Sequence, residues 1–527
     1  MYASFSSIAL LGIEGEPVTV EVDIANGLPC FDLVGLPSSS VRESKERVRA
    51  AIRNSGFEFP LGRITANLAP ADLRKDGPGY DLCLALGILA ANGALPAANA
   101  QGYAIIGELA LDGTVRPLTG VLPMVAAAKT FGLQNVVVPA GNRSEAVLVE
   151  GVKVVAIENL RQAVSYFRDD AWPEPAHDPG PDANVSLADV LHRSSADSAE
   201  SPIQDDLSDV KGQPHVKRAL EIAAAGNHNL LLIGPPGSGK TMLARRLPSL
   251  LPPLLPQESL SVTMIHSAAG VLKDTVSLLT RRPFRAPHHS ISSAGLIGGG
   301  TIPRPGEVSL AHGGILFLDE FPEFHRTALE ALRQPLEEGR VTIARANASL
   351  TYPARFLLVV TMNPCPCGFY GQMDETGNSP CTCSPFMIQR YHNRVSGPLL
   401  DRIDLHVEVP RVTFADMQQT TPAETSADVS ARVQKARFVQ QSRFAGRPMP
   451  VNSAMSSADL RQHCRLNRPS AELLRHAFEK LALSARSHDR ILKVARTIAD
   501  LAGESEIQQH HLAEAVQYRT LDRKYFK

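Results

Sequence analysis

The densest run of chemistry in the 527-residue chain is Gly234-Pro235-Pro236-Gly237-Ser238-Gly239-Lys240-Thr241. It has the pattern GxxxxGK[ST] and lies between an apolar run, HNLLLI, and a helical run, TMLARRL. Glycines at that spacing let backbone N–H groups wrap phosphates, and a helix start behind them favours negative charge. Lys240 is placed to reach the β- and γ-phosphates of ATP, and Thr241 to ligate Mg²⁺. A plain glycine-rich turn is the competing reading, and the lysine, the threonine and both flanks argue against it. A second apolar run, ILFL at 315–318, ends in Asp319 and Glu320. A buried strand there would deliver an Asp for Mg²⁺ and a Glu to polarise the attacking water. An ordinary strand ending in two acids is the alternative.

The cysteines supply the other chemistry. Cys365-Pro-Cys367 and Cys381-Thr-Cys383 place four of the seven within nineteen residues. Four thiolates can surround a structural Zn²⁺ tetrahedrally. Reduced unliganded thiols and disulfides are the alternatives, and clustering favours a metal in a reducing compartment. The CxC spacing is tighter than the commoner CxxC. The loop between the pairs, GFYGQMDETGNSP, has little apolar content to hold it without a clip.

The elements that must position these groups divide the chain. The expected fold class is α/β, a parallel-sheet P-loop core with a C-terminal helical lid, preceded by an α+β domain. Residues 1–170 read as that first domain. VTVEVDIANGLPCFDLVGLP alternates as a strand, SSVRESKERVRAAIRNSG as a capped amphipathic helix, ITANLAP as a strand and YDLCLALGILAANG as a buried helix. Residues 171–210 carry nine acids, one Arg and five prolines. They read as a flexible acidic linker. Residues 211–412 form the expected core, where apolar strands alternate with helices and ligands gather at the strands' carboxyl ends. The cysteine insertion at 365–383 falls inside it. Residues 413–527 read as a basic segment followed by helices.

With Asn363 after the third apolar run, RFLLVVTM, the nucleotide motifs resemble an AAA+ ATPase. RPFRAPHHSISSAGLIGGG, PGEVSLAHGGILFLDEFPEF, NPCPCGFYG and SGPLLDRIDLHVEVP together resemble the magnesium-chelatase-like ComM/YifB proteins, over nearly the whole chain. The resemblance implies that Asn363 orients water near the γ-phosphate. It implies that Arg402 is an arginine finger reaching a neighbouring subunit's nucleotide, and Arg486 a second sensor arginine on the lid, with Arg490 one turn on as the alternative. An arginine supplied in trans accelerates phosphoryl transfer by orders of magnitude. A salt bridge from Arg402 to Asp401 or Asp404 is the competing reading. A finger in trans requires a ring, by default a hexamer. The family implies a DNA helicase promoting branch migration in recombination and transformation. A metal-insertase subunit like magnesium chelatase and a protein remodeller are the alternatives.

The first domain resembles the Lon protease fold. Gly79 stands at the serine position and Leu122 at the lysine position, so the Ser–Lys dyad is missing and peptidase activity is not expected. A scaffold or DNA platform remains. Lys75 and Arg74 could contact phosphate, with solvated surface charge as the alternative. Residues 430–468 hold eight Lys+Arg and one Asp, with Phe438 and Phe444 interleaved. Arg437, Arg443 and Arg447 are the expected backbone contacts there, for single-stranded or branched DNA, against the alternative of a solvated helix face. RVTIARANASLTYPARF reads as a hairpin that related ring helicases point into the pore, with Arg345 near its tip. A third DNA candidate is the glycine-rich insert at 281–307, with Arg281, Arg282, Arg285, His288 and His289. Its histidines read as hydrogen-bonding groups rather than metal ligands.

Bulk composition sets outer limits. The 53 Lys+Arg nearly cancel 54 Asp+Glu. Residues 411–527 nevertheless hold 19 bases against 12 acids. A basic rear half therefore hides behind an acidic front half. No apolar run of about 18 residues suggests a membrane span, and the first residues lack a basic signal-peptide flank. A cytoplasmic protein is expected.

Overall fold

A computed structural model describes residues 1–169, 206–272, 278–300, 303–345, 348–373, 379–412, 423–447, 449–481, 484–521 and 525. The first domain is built from β1 (Tyr2–Leu11), β2 (Glu14–Ala25), β3 (Cys30–Val34), α1 (Ser39–Asn54), β4 (Arg63–Ala69), α2 (Asp81–Ala91), β5 (Tyr103–Ile105), α3 (Val121–Thr130), β6 (Asn135–Pro139) and β7 (Lys153–Ile157). Seven strands form one sheet in the order β3-β4-β2-β1-β5-β6-β7. Val18, Val20 and Val22 alternate inward on β2, as half-buried strands do. The single alternating run expected at 18–37 is broken into β2 and β3, because Gly27 and Pro29 interrupt it. Ser38 caps α1 through its hydroxyl, which accepts from the Val41 N–H, and Val41, Val48, Ala51 and Ile52 are buried.

The core begins earlier than the composition implies. Residues 171–205 of the expected linker lie outside the described residues. Residues 206–210 belong to the core, where Leu207 and Val210 are buried and Asp206 accepts from the Ser426 N–H. Their acidity is a local cap on a packed segment, which composition alone cannot distinguish from a tether. The core runs through α4 (Pro214–Gly226), β8 (Leu230–Ile233), α5 (Lys240–Leu250), α6 (Pro256–Ala269), β9 (Phe284–Arg285), β10 (Ile315–Leu318), β11 (Arg340–Arg345), β12 (Ala348–Pro353), β13 (Leu357–Met362) and β14 (Leu405–Glu408). Five of these strands form a parallel sheet in the order β9-β10-β13-β8-β14. Both faces are covered, which explains the continuous apolar runs. Leu230, Phe317, Val359 and Val407 face one cluster with the lid helices, while Leu231, Leu316, Leu358 and Val360 face a second.

The lid comprises α7 (Ser426–Arg443), α8 (Arg468–Leu481), α9 (Ala485–Ala502) and α10 (Gln509–Gln517), helical as the sequence pattern requires. The first domain also touches the core directly. Leu260, Met264 and Leu278 join the apolar cluster around α3. Ser267 on α6 donates to Glu145 at 2.6 Å, and Tyr352 on β12 packs against Gly12 in the β1–β2 turn. Gly12 has φ +71°, a conformation glycine adopts freely, and a Cβ there would sit 3.4 Å from the tyrosine ring.

Candidate nucleotide site

The sheet order places β8, β10 and β13 side by side, so their carboxyl ends converge on one crevice. β8 delivers the loop at 234–239, and α5 begins at Lys240. Gly237 and Gly239 have φ of +75° and +86°, so the loop turns tightly only because they lack side chains. A Cβ on Gly234 would lie 2.3 Å from the Val409 carbonyl oxygen, which leaves no room for any other residue. Lys240 Nζ donates to the Gly234 and Pro235 carbonyls at 2.8 and 2.9 Å and to Asn363 Oδ1 at 3.2 Å. Burial lowers the Lys240 ammonium, opposed by the charges of Asp319 and Glu320.

β10 delivers both acids. Thr241 Oγ1 donates to Asp319 Oδ2 at 2.9 Å, and Thr361 on β13 donates to Asp319 Oδ1. The Glu320 N–H lies 3.2 Å from both Asp319 Oδ1 and Thr361 Oγ1. Glu320 itself has φ +53°. For a non-glycine residue that left-handed conformation carries strain, which the two-sided hold on its N–H sustains. The pocket suits a metal–phosphate ligand. Thr241 and Asp319 form an oxygen pair for a hard cation. The structure therefore brings together Lys240, Thr241, Asp319, Glu320 and Asn363, which the sequence separates by more than 120 positions.

The arginines are distributed differently. Arg402 is buried and reaches Glu337 and the Pro398 carbonyl rather than Asp401 or Asp404. Asp404 is taken by the lid: Arg490 donates to its carboxylate and to the Arg402 backbone carbonyl at 3.1 Å, while His228 lies 3.4 Å away. Burial alone would raise the Asp404 carboxyl, but Arg490 and His228 hold it well below its usual range. Arg490 thus hooks the lid onto the segment that carries Arg402, while Arg486 lies exposed one turn earlier.

Among the expected DNA contacts, three arginines are tied to groups of the protein itself, and Arg447 among them stays exposed. Arg437 donates to the Ala224 carbonyl near the end of α4 at 2.7 Å, and burial brings its guanidinium down to about 9. Arg443 grips buried Asp500 with two bonds of 2.6 and 2.8 Å. Arg447 grips Asp459 with two of 2.7 Å. Phe444 is buried, and only Phe438 of the two interleaved rings is exposed. Carbonyls and carboxylates of neighbouring elements take up those cations, which a charge count does not reveal. Arg345 sits opposite Ala348 at the last register position of the β11–β12 hairpin. Arg282 and Arg285 are tied to Glu258 and Glu307. In the first domain Lys75 is buried, not solvated, and donates to the Pro70 carbonyl, while Arg74 pairs with Asp76 on the surface. Leu122 is buried with its N–H 3.3 Å from Glu145, and the Gly79 carbonyl accepts from Gly107, so no dyad forms.

All four sulfurs of Cys365, Cys367, Cys381 and Cys383 lie within 4.8 Å of one another. The separations of 3.3, 3.6 and 3.8 Å among the first three compare with about 3.8 Å for sulfurs tetrahedral around one zinc ion. Burial opposes ionisation of Cys367, but the Phe369 N–H, the Cys365 thiol, the Thr382 N–H and the Cys383 thiol together outweigh it and bring the thiol to about 6. The cluster abuts the nucleotide loop. A Cβ on Gly368 would lie 2.5 Å from Pro236, and His392 bonds the Pro364 carbonyl at 2.8 Å.

Comparison with known proteins follows this geometry. Residues 206–417 match the family described as magnesium chelatase, subunit ChlI, residues 423–519 match its C-terminal family, and residues 20–142 match the family described as subunit ChlI of Mg-chelatase. The competence protein ComM of Haemophilus influenzae is 45% identical, over 98% of this chain and 97% of that protein. The protein YifB of Escherichia coli is 45% identical, over 98% of this chain and 96% of its own length. This chain belongs to the magnesium-chelatase-like ComM/YifB family of AAA+ proteins. A Lon protease of Bacillus subtilis is 30% identical over 26% of this chain, which fits the N-terminal region. No helix among the described residues is long and apolar enough to cross a membrane.

Sequence reasoning missed two contacts at this site. His289 lies 3.4 Å from Glu320, and Arg490 rather than Arg402 pairs with Asp404. Neither was readable from a local signal, since both partners lie beyond the paired strand residues.

Proposed function

We propose that the chain is an ATP-hydrolysing homohexameric ring motor on single-stranded or branched DNA, a helicase that promotes branch migration during homologous recombination and natural transformation. The observation that carries the hydrolytic part is the convergence of Lys240, Thr241, Asp319, Glu320 and Asn363 at adjacent strand ends. Lys240 would exchange the loop carbonyls for phosphate oxygens. Thr241 and Asp319 would hold Mg²⁺, which supplies charge neutralisation on the phosphates. Glu320 would accept the proton of the attacking water while Asn363 orients it. Arg402 would leave Glu337 for a neighbour's γ-phosphate, and Arg486 would close from the lid.

The relative named as a competence protein supports action on DNA. So does the β11–β12 hairpin that carries Arg345. The cysteine cluster is read as a structural Zn²⁺ clip, supported by the four converging sulfurs and by Gly368 packed against Pro236. A metal-insertion subunit is the second reading, favoured by the family description. The test is ATP turnover with and without forked or junction DNA, alongside strand displacement. Turnover that ignores DNA, with no displacement, defeats the motor reading and leaves the insertase.

A further inference from the structure

We propose that Asn229 is a positioning residue that holds the segment carrying Arg402 at the start of the core sheet, and so sets the reach of that arginine towards a neighbouring subunit's nucleotide. The inference rests on the reading of Arg402 as a finger in trans. What it adds is the side chain that aims the finger.

Asn229 stands one residue before β8, the strand that carries the nucleotide loop. β8 lies between β13 and β14, and its first residue, Leu230, pairs with Val359 on one side and Leu405 on the other. Asn229 is therefore within reach of both neighbours. Its Nδ2 donates to the Arg402 carbonyl at 2.9 Å, and its Oδ1 accepts from the Leu358 N–H at 3.0 Å. Its own N–H donates to Asp404 Oδ2 at 3.1 Å, and its carbonyl accepts from the N–H groups of Asp404 and Leu405 at 3.0 Å each. A facing carbonyl demands a donor and a facing N–H an acceptor, so the amide has one workable orientation.

The result for Arg402 is a fixed backbone under a movable side chain. Its carbonyl takes a second bond from Arg490 at 3.1 Å, and the Ile403 carbonyl accepts from Arg519 at 2.6 Å. The core and the lid thus hold the same short segment. The Arg402 guanidinium reaches the Pro398 carbonyl and Glu337, whose carboxylate is half exposed. A half-exposed carboxylate is a partner that an arginine gives up readily for a phosphate fork.

The hold also anchors Arg402 away from its own chain's nucleotide loop. The four residues Leu230–Ile233 separate Asn229 from Gly234, about 13 Å of strand. The loop leaves the opposite end of β8. An error of about 1 Å in placing a group that acts on the transition state can cost about 10²-fold in rate, so the anchor's precision bears on turnover.

The test is complementation between full-length variants. Asn229→Asp keeps an acceptor for Leu358 and loses the donor to Arg402, whereas Asn229→Ser is too short for either bond. Each alone should lower kcat about tenfold with KM for ATP unchanged, as loss of an interaction made only in the transition state does. Each is then mixed with Glu320→Gln, which binds ATP and keeps its finger but lacks its own general base. Turnover per Asn229-variant subunit should rise about threefold or more on mixing, because the partner's arginine serves the variant's intact nucleotide site. Arg402→Ala mixed with Glu320→Gln is the reference and should gain likewise. If Arg402→Ala gains and the Asn229 variants do not, with a fluorescent ATP analogue still bound, the proposal is overturned and the finger reading stands. Loss of analogue binding in both Asn229 variants also overturns it, because the residue then serves its own chain's site. If Arg402→Ala gains nothing, the finger reading fails and the positioning role falls with it.

Discussion

The nucleotide crevice and the basic segment behind it are both rich in charge, yet the fold treats them in opposite ways. At the crevice, Lys240 bonds Asn363 and Thr241 bonds Asp319, and these groups leave an oxygen pair at the place a ligand would take. In the lid, Arg437, Arg443 and Arg447 are consumed by carbonyls and carboxylates of the protein itself. The difference lies in partner supply. A crevice at strand ends has more polar groups than its own geometry can satisfy, whereas a helical lid has buried acids and helix ends that need cations. Charge marks a ligand site only where the protein leaves it incompletely answered.

The sharpest way to break this comparison is at the crevice. Lys240→Ala should lower ATP turnover by about 10³-fold or more, because it removes the charge placed against the transferring phosphoryl group. Glu320→Gln should lower kcat by about 10²-fold with ATP still bound, as loss of a general base does. Steady-state kinetics beside analogue binding separates the two, and rapid turnover in Glu320→Gln removes its assigned role.

In the lid the expected losses are of stability. Arg443→Ala removes the bidentate partner of buried Asp500, which keeps Arg496 and Asn452, and should destabilise the protein by about 2 kcal/mol in chemical unfolding. Arg345→Ala should leave unfolding unchanged and weaken binding to single-stranded DNA in a salt-dependent way. Equal DNA affinity in Arg345→Ala and the wild type would move the interface elsewhere. Asp404 adds a pH signature. Its folded pKa is depressed, so its contribution is complete above the unfolded value of about 4 and disappears as pH falls through the folded one. The stability gap between wild type and Asp404→Asn should therefore shrink from pH 7 to pH 3. A gap independent of pH would contradict the Arg490–Asp404 hook.

The smallest expected effect links the regions. Chelation of the Cys365–Cys383 cluster should weaken ATP affinity several-fold, since the clip abuts Pro236 at the nucleotide loop. Elemental analysis near zero zinc per chain, in protein purified without chelators, would exclude the clip.

Much of this was legible in the sequence where spacing is dictated by local geometry. The glycines of 234–239 and the apolar runs ending in Asp319 and before Asn363 each announce a strand end, because a parallel strand buried on both faces has to be uniformly apolar. The capped helix α1 was legible for the same local reason. The fate of the arginines was not. Arg443 and Asp500 are 57 residues apart, and Arg437 meets Ala224 across 213, so only the tertiary fold decides who answers whom. The linker misled at its end because acids that cap a packed segment have the composition of a tether.

The most direct measurement is steady-state ATP hydrolysis by the full chain on forked duplex DNA, with strand displacement followed in the same reaction. The account predicts that DNA raises turnover several-fold and that displacement occurs only with hydrolysable ATP and intact Glu320. Turnover unmoved by forked, junction and single-stranded DNA, with no strand displaced, would contradict it.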